Sequence, residues 1–220
     1  MAPVKKRIGI LGGTFNPIHV GHLIIADAVK EEWNLEKVLF IPSAHPPHKD
    51  RPDVISADHR FRLVSLAIAD NPSFEVSDIE IKRVGPSYSV ETLKALRRAQ
   101  TQPTDYFFII GADSVPELRT WKNIEELATL CTFLVVPRPG WDIERLKAED
   151  LGLPAAMKEE LLAHVVSAPL IGISSTEIRE RVMNGKSIRY LVPRAVEEYI
   201  DGHRLYEKPK RSTRAGNSRR

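Results

Sequence analysis

The residues best suited to chemistry stand in one short segment near the start of the chain. The segment GGTFNPIHVGH, residues 12–22, follows an apolar run and leads into a stretch with helical spacing. Gly12 and Gly13 let the backbone approach a ligand closely. His19 and His22 are three residues apart, so in a first helical turn both imidazoles face one side, near the positive end of the helix dipole. The segment therefore predicts an anion site at a helix N-terminus.

The residues between the glycines and the histidines fit the start of a helix. Asn16 can cap a helix, and Pro17 suits a helix start, where a missing N–H is tolerated. A capped turn that carries two surface histidines would show the same spacing, so two interpretations stay open. A dinucleotide-binding turn is excluded, because the segment lacks the G-x-G-x-x-G pattern.

A second candidate for phosphate binding lies near the C-terminus. The segment ISSTEIR, residues 173–179, follows a short apolar run and opens a stretch of helical spacing. Ser174 and Glu177 have the spacing of a capping box, which leaves nearby backbone N–H groups and the Arg179 guanidinium free to grip a polyphosphate. Taken alone, the segment also fits an ordinary helix cap with an exposed arginine.

The loop after the second apolar run is rich in histidine and proline. Its segment PSAHPPHK, residues 42–49, supplies Lys49 as a movable cation. Because its two histidines repeat the H-x-x-H spacing of the first segment, a metal site has to be considered. The two intervening prolines prevent a regular helix, and no Cys or acidic residue is spaced with the histidines. We therefore predict no protein metal site, and a solvated loop remains an alternative to a phosphate-facing one.

Apolar runs that alternate with segments of helical spacing position these motifs. We predict buried strands at Arg7 to Leu11, Lys37 to Ile41, Tyr106 to Ile110 and Thr132 to Val136. We predict helices at Val20 to Glu32, Asp58 to Ala69, Val90 to Ala99 and Trp121 to Leu130, and a helical excursion after Pro137. Right-handed βαβ units then give an α/β fold, a Rossmann-like doubly wound parallel sheet with helices on both faces. Its ligands should lie beyond the carboxyl ends of the strands.

Composition excludes several classes of protein. The chain has 220 residues, 42% hydrophobic and 28% charged, which suits one α/β domain with its own core and argues against disorder. The basic N-terminus is followed by too few apolar residues for a signal peptide. No run approaches the roughly 20 apolar residues of a transmembrane helix, so we expect no membrane partner. Cys131 is the one cysteine, which permits no internal disulfide and favours a cytoplasmic location.

The positive charge of the chain is concentrated at its end. Residues 208–220 carry six Lys or Arg and no acidic residue, whereas residues 1–207 carry 26 basic against 29 acidic residues. We predict a catalytic domain over residues 1–207 and a basic, disordered tail over 208–220. Nucleic acid is the alternative partner for such a tail, but the absence of aromatic residues and of a fold signature does not favour it.

The first segment resembles the signature of the nucleotidyltransferase superfamily with the H-x-G-H motif. Six positions of that signature occur in the ten residues from Gly13 to His22. The resemblance implies nucleotidyl transfer with release of pyrophosphate, and contacts between the motif histidines and ATP phosphates. Residues 173–179 resemble the partner motif I-S-S-T-x-I-R, and the loop resembles the P-P-H-[KR] segment, in which His45 would also face phosphate. Class I aminoacyl-tRNA synthetases share the short motif, but they are much longer and carry a K-M-S-K-S type loop that this chain lacks.

A further segment indicates the acceptor of the nucleotidyl group. GPSYSVETL, residues 85–93, resembles the S-Y-T-x-x-T-L motif of bacterial nicotinate mononucleotide adenylyltransferases, with Ser89 where the motif has Thr. Asp113 follows a predicted strand at the crevice, where a carboxylate can hold ribose hydroxyls. Trp121 could stack on a pyridine ring, and Arg138 matches a strand-end arginine of the family. A helix cap, a core tryptophan and a surface arginine are the respective alternatives.

The motifs together imply a family member that uses ATP and nicotinate mononucleotide and forms deamido-NAD and pyrophosphate. The implied catalytic residues are His19, His22 and Arg179. The implied ATP-binding residues are Gly12, Gly13, Thr14, Phe15, His19, His22, Lys49, Ile173, Ser174, Ser175, Thr176 and Arg179. The implied mononucleotide-binding residues are Ser87, Tyr88, Ser89, Thr92, Asp113, Trp121 and Arg138. The expected cofactor is Mg²⁺, which would bridge phosphates with mostly water ligands.

Two other functions stay open at this point. Another small-molecule nucleotidyltransferase, acting on a coenzyme A intermediate or with a cytidylyl donor, would share the first motif. Such chains are usually shorter and lack the segments that contain Tyr88 and Trp121. A nucleotide-binding module without catalysis is disfavoured, because both histidines and Arg179 are present.

Overall fold

A computed structural model describes residues 5–45 and 53–208, with one sheet of five parallel strands. The strands are β1 (Lys6–Gly13), β2 (Lys37–Pro42), β3 (Phe74–Val76), β4 (Thr104–Gly111) and β5 (Thr132–Val136). They lie in the order β3-β2-β1-β4-β5, and Ile10 of β1 pairs with Leu39 of β2 and Phe108 of β4. The direction of winding reverses between β1 and β4, which creates a crevice at their carboxyl ends.

Eight α-helices and one 3₁₀ helix surround the sheet in the described part of the chain. They are α1 (Val20–Glu32), α2 (Ala57–Ala67), α3 (Ser89–Ala99), the 3₁₀ helix (Ala112–Thr120), α4 (Ile124–Leu130), α5 (Ile143–Ala148), α6 (Ala155–Ala163), α7 (Ser175–Met183) and α8 (Arg194–Gly202). The predicted bounds of α1 and β5 are confirmed. The predicted helix from Trp121 is wrong at its start, because Asn123 adopts a left-handed φ of +50° and α4 begins only after it.

The helices cover both faces of the sheet, as predicted. Alternate residues of β4 point to opposite faces: Phe107 and Ile109 join one core, whereas Phe108 and Ile110 join the other. The first core packs β4 against α1, α2, α7 and α8. The second packs it against α3, α4, α5 and α6. These two cores define the doubly wound architecture and confirm the predicted fold class.

Two further predictions depend on the part of the chain that the structure describes. No helix within residues 5–45 and 53–208 is long and apolar enough to cross a membrane. Lys49 and residues 209–220 lie outside the described residues. The predicted boundary between the catalytic domain and the basic tail therefore stays a prediction.

Candidate active site

A cleft of about 440 Å³ opens at the carboxyl ends of the strands. It is lined by the ends of β1, β2 and β4, by the segment after β5, and by the starts of α3 and α7. The cleft therefore lies at the crevice that the strand order creates. Among the predicted site residues, those that line it are Gly12, Gly13, Thr14, Phe15, His22, Ser87, Tyr88, Ser89, Thr92, Asp113, Trp121, Arg138, Ser175, Thr176 and Arg179.

His19 and His22 stand at the start of α1 with their rings in contact. His19 is the residue before the first helical residue, and only 3% of it is exposed. Its backbone N–H donates to His22 Nδ1 over 3.2 Å, and the ring centres are 3.7 Å apart. The two imidazoles therefore share one face of the helix start, as their spacing predicts.

Asn16 does not cap α1, which corrects the sequence-based prediction. His19 takes the cap position, and the Asn16 side chain turns towards the segment before α2 instead. Asn16 Nδ2 donates to the Asp53 carbonyl over 3.0 Å, while its Oδ1 accepts from the Ile55 N–H and from the Tyr206 hydroxyl. Asn16 therefore fastens the first turn to the segment before α2 and to Tyr206.

Burial lowers the pKa of both motif histidines. Loss of solvation, and secondly the charge of Arg138, lower the pKa of His19 from 6.5 to about 4. Loss of solvation, His19 and Arg138 together lower the pKa of His22 well below its ordinary range. Both imidazoles are therefore neutral at pH 7, and each offers one N–H donor without a positive charge. Neutral imidazoles suit a site that binds phosphate through hydrogen bonds.

Gly21 makes room for the His19 ring. A Cβ atom at position 21 would lie 3.0 Å from His19 Nδ1 and 2.9 Å from the Ile171 side chain. Both distances are shorter than ordinary contacts, so a larger residue would displace the imidazole or Ile171. The glycine between the two motif histidines thus has a steric role within the protein itself.

Phe15 holds the first turn in a strained conformation. Its φ is +48°, in the left-handed region, which costs a bulky residue roughly 1–2 kcal/mol. The ring is buried and lies edge-on to His22, with the ring centres 5.2 Å apart. Buried arginines hold the flanking carbonyls: Arg60 Nη1 donates to Thr14 over 2.8 Å and Arg179 Nη1 to Asn16 over 3.0 Å. Arginine side chains from α2 and α7 therefore fix the turn by its backbone carbonyls.

The start of α7 is fixed against the same turn. Ser174 caps α7 by accepting from the Glu177 N–H over 3.1 Å, as predicted. The neighbouring Ser175 hydroxyl donates to the Pro17 carbonyl over 2.8 Å. Two helix N-termini, those of α1 and α7, therefore reach one cleft, which is the arrangement that the two sequence motifs indicate.

The Arg179 guanidinium is already paired, contrary to the expectation that it is free. Its Nη2 lies 2.6 Å from Asp53 Oδ2, and 3.4 Å from the Thr176 hydroxyl. Arg179 is 9% exposed, yet both Arg179 and Asp53 line the cleft. A phosphate that binds to Arg179 has to displace the Asp53 carboxylate or share the guanidinium with it.

Aromatic side chains line the opposite end of the cleft. Tyr88 and Trp121 are half-buried, and the Trp121 ring stands edge-on to Phe108 with ring centres 5.9 Å apart. Lys122 Nζ lies 4.5 Å from the centre of the Tyr88 ring. Ser89 is the first residue of α3, and no side chain among the described residues caps this helix. This end of the cleft therefore combines flat apolar surfaces with a helix start that has no side-chain cap among the described residues.

The hydroxyls of Ser87 and Thr92 have partners within the protein. Ser87 Oγ accepts from the Ala44 N–H over 3.0 Å and from the His45 N–H over 3.2 Å. Thr92 Oγ1 donates to the buried Glu80 carboxylate over 2.6 Å. Both residues line the cleft, but their hydroxyls hold a loop and α3 in place. Their direct contact with a mononucleotide stays a prediction.

Asp113 and Arg138 stand together beyond the ends of β4 and β5. Arg138 Nε is 3.8 Å from Asp113 Oδ1 and is buried without a hydrogen-bond partner among the described residues. Gly111 permits this approach, because a Cβ atom there would overlap the Asp113 carboxylate and lie 3.0 Å from Arg138 Nε. An unpaired buried donor at the cleft is suited to an anionic or hydroxyl ligand.

The remaining predicted site residues do not line the cleft. His19 lies behind its partner histidine, Ile173 packs half-buried against the first core, and Ser174 is occupied as the cap of α7. The His45 side chain is exposed, and only its backbone is tied to the cleft wall. The predicted role of Lys49 lies outside the described residues.

Several cleft residues were not identified from the sequence. Those that line the cleft are Ser43, Asp53, Glu80 and Lys122. Arg60 does not line the cleft but donates to the Thr14 carbonyl in the first turn. Burial raises the pKa of Glu80, which is hydrogen-bonded to Thr92.

Within residues 5–45 and 53–208, no group of three or more His, Cys, Asp or Glu side chains is placed to hold a metal ion.

The chain matches the family model described as cytidylyltransferase-like over residues 10–181. It therefore belongs to this family of nucleotidyltransferases. A Moorella thermoacetica protein named "Probable nicotinate-nucleotide adenylyltransferase" is 46% identical over 200 residues, which cover 91% of each chain. A Synechococcus protein of the same name is 46% identical over 207 residues, covering 94% of this chain and 98% of the relative. Within the family, the chain belongs to the nicotinate-nucleotide adenylyltransferases, which confirms the resemblance.

A solved structure shows the same fold. Plasmodium falciparum nicotinic acid mononucleotide adenylyltransferase complexed with NaAD superimposes with a TM-score of 0.69 at 18% identity. The match covers 91% of this chain and 97% of that chain. The Rossmann-like architecture is therefore common to both proteins.

Proposed function

We propose that the cleft joins ATP to nicotinate mononucleotide and forms deamido-NAD and pyrophosphate. The observation that carries this proposal is the meeting of two helix N-termini, with His22 and Arg179, at a cleft whose other end holds Tyr88 and Trp121. Helix N-termini favour phosphates, and aromatic faces favour a flat heterocycle. The family to which the chain belongs supports the same pairing of substrates.

The triphosphate is placed between the starts of α1 and α7. His22 lines the cleft and is neutral in the unliganded protein, so it serves as a hydrogen-bond donor, and the neutral His19 packs against its ring. Arg179 supplies positive charge at the triphosphate, and Arg138 supplies it where the mononucleotide approaches. Packing within the protein does not require a glycine at position 12, because a Cβ atom there would make only an ordinary contact, 3.6 Å from Phe108. Close approach of a ligand to the backbone is the reason for Gly12 that this proposal supplies.

The reaction needs positioning more than acid–base chemistry. A phosphate monoester has a second pKa of about 6, so the acceptor phosphate is largely dianionic at pH 7 and needs no general base. One of its oxygens attacks the α-phosphorus of ATP in line, and the bond to the β-phosphate oxygen breaks, so that pyrophosphate leaves. The His22 imidazole, held by His19, and the guanidiniums stabilise the charge that develops on the equatorial and leaving oxygens.

The nicotinate carboxylate is placed at the start of α3. The start of α3 at Ser89 has no side-chain cap among the described residues, and its backbone N–H groups and the positive end of the helix dipole favour an anion. An amide would present its NH₂ group to the same donors, leaving one of them unpaired. Loss of a charge-assisted hydrogen bond adds to that cost, so we expect at least ~100-fold preference for the acid over the amide.

Mg²⁺ fits this site as a companion of ATP. It usually keeps several waters and binds phosphate oxygens, which suits a cleft that gathers no cluster of acidic ligands among its described residues. When bound, the ion neutralises charge on the phosphates of ATP.

We also propose a cytoplasmic location, which the single, buried Cys131 supports.

The proposal is tested by pyrophosphate release from ATP and Mg²⁺ with a panel of acceptors. The panel contains nicotinate mononucleotide, nicotinamide mononucleotide and the phosphorylated coenzyme A intermediate, and CTP replaces ATP in a parallel series. We expect the highest kcat/KM with ATP and nicotinate mononucleotide. A higher kcat/KM with another pair of substrates, or no release with any pair, would contradict the proposal.

A further inference from the structure

Arg60 is a buried cation within an otherwise apolar helix face. It lies on the apolar face of α2 with Leu63 and Val64, and only 1% of it is exposed. Among the ion pairs between described residues, none includes Arg60. The buried Glu80 carboxylate acts on Arg60 only from a longer distance, and burial still lowers the pKa of Arg60. Burying such a charge is costly, and an apolar residue of similar volume usually serves a core better. The placement therefore calls for a functional reason.

The Arg60 guanidinium binds three backbone carbonyls from three different segments. Nη1 donates to Thr14 over 2.8 Å, Nε to Ile55 over 3.1 Å, and Nη2 to Ala44 over 3.3 Å. All three nitrogens are used, so a lysine, with one nitrogen, could not reach the same set. The carbonyl of Thr14 precedes the strained Phe15, so Arg60 holds the turn that carries the proposed ATP site.

The segment formed by Ala44 and His45, which we call the strap, is held from its other side by Ser87. Ser87 Oγ accepts from both N–H groups of the strap, and the Ser87 N–H donates to the His45 carbonyl over 3.0 Å. Ser87 lies two residues before α3, the helix whose start we assign to the acceptor. A continuous chain of hydrogen bonds therefore runs from Thr14 through Arg60 and the strap to Ser87.

We propose that Arg60 is a positioning residue that couples the ATP subsite to the acceptor subsite through the strap. This inference rests on the proposed function, because it takes the first turn and the start of α3 as the two substrate subsites. Disturbing either end of the chain of hydrogen bonds then impairs binding at both subsites. Ser87 lies beside the acceptor subsite, so its effect on ATP is the distinctive consequence.

The test compares Arg60→Lys, Ser87→Ala and the double variant for kcat and for KM of both substrates. We expect each single variant to raise KM for ATP and for the mononucleotide about 5- to 10-fold, with kcat within about 3-fold of wild type. The double variant should be no worse than the worse single variant, because both changes break one chain. Arg97→Lys is the matched control, since Arg97 holds the Leu130 carbonyl away from the cleft. Alone, Arg97→Lys should have the KM values of wild type, and combined with Ser87→Ala it should have the KM values of the Ser87→Ala variant.

Three outcomes overturn the coupling. The first is a Ser87→Ala variant with a raised KM for the mononucleotide only, the second is multiplication of the two single effects, and the third is unchanged KM values in Arg60→Lys. If Arg60→Lys fails to fold, KM for ATP in Ser87→Ala decides the question alone. A wild-type protein without adenylyl transfer would refute the proposed function instead. Calorimetric titration of each variant with ATP and with the mononucleotide would then test the coupling by binding.

Discussion

Asp53 Oδ2 lies 2.6 Å from Arg179 Nη2, so an internal carboxylate occupies the guanidinium that we assign to the ATP phosphates. The pair joins α7 to the segment before α2, and both residues line the cleft. Because 45% of the Asp53 side chain is exposed, water screens the pair and its contribution is at most ~1 kcal/mol. A polyphosphate carries more charge than one carboxylate and can displace it.

Replacing Asp53 with Asn should strengthen ATP binding. The substitution keeps the shape of the side chain and removes the competing charge, so KM for ATP should fall about 3- to 5-fold, the equivalent of ~1 kcal/mol or less. The value of kcat should stay the same. Asp105→Asn is a matched control, because Asp105 pairs with Lys5 at an exposed site, over 3.0 Å. A higher KM for ATP in Asp53→Asn would show that the carboxylate orients Arg179 rather than competes for it.

Replacing Gly21 with Ala should impair chemistry without weakening the fold. The added methyl group meets His19 Nδ1 at 3.0 Å and the Ile171 side chain at 2.9 Å, and we expect the imidazole to be displaced. Alanine has the higher helix propensity, which offsets part of the crowding. We expect kcat to fall about 10-fold or more while the melting temperature stays within a few degrees. Gly172→Ala, where a Cβ atom would meet nothing within 4 Å, serves as the control. Equal activity of the two variants would remove the steric role of Gly21.

The free energy of unfolding should fall as the pH falls below 6.5. His19 has a pKa of about 4 in the folded protein and 6.5 as its ordinary value, so the unfolded chain takes up this proton first. The contribution of His19 to the free energy of unfolding is fully present above pH 6.5 and is lost as the pH falls towards 4. This loss amounts to about 3 kcal/mol. His22 changes the free energy of unfolding in the same direction. Urea unfolding at pH 7.0, 5.5 and 4.5 measures the slope. His19→Gln should show a distinctly shallower slope, and an unchanged slope would contradict the shifted pKa.

Replacing Trp121 with Ala should separate the two substrates. A stacked base or pyridine ring contributes ~1–3 kcal/mol, so KM for the mononucleotide should rise about 10-fold or more. KM for ATP should change little, because Trp121 lines the end of the cleft opposite to α1 and α7. Trp141→Ala is the control, since Trp141 is exposed and does not line the cleft. Equal increases of both KM values would make Trp121 a structural residue.

The sequence predicts the elements that have strong periodicity and misses those without it. The bounds of α1 agree because its apolar residues recur at helical spacing, and β5 agrees because it is a continuous apolar run. The strand β3 has only three residues, Phe74–Val76, and pairs at the edge of the sheet, so no pattern marks it. The 3₁₀ helix contains Pro116, and its sequence does not differ from that of a loop.

The site is predicted where a motif is contiguous and missed where distant segments meet. The two histidine positions follow from three-residue spacing, whereas Asp53 and Arg179 are 126 residues apart and meet only in the folded chain. Arg60 did leave a signal, because it precedes the buried Leu63 and Val64 by three and four residues and so falls on their face of α2. A charged residue on an apolar helical face is therefore a sequence signal for a buried residue with a specific role.

The most direct test of adenylyl transfer at this cleft is kcat of the His22→Ala variant with ATP and nicotinate mononucleotide. His22 lines the cleft and its loss removes a transition-state donor, so kcat should fall about 100-fold or more in a folded protein. His203→Ala is the control, because His203 is exposed and stacks on Tyr199 away from the cleft. A kcat of His22→Ala within about 3-fold of that of the control would contradict the assignment of the cleft as the active site.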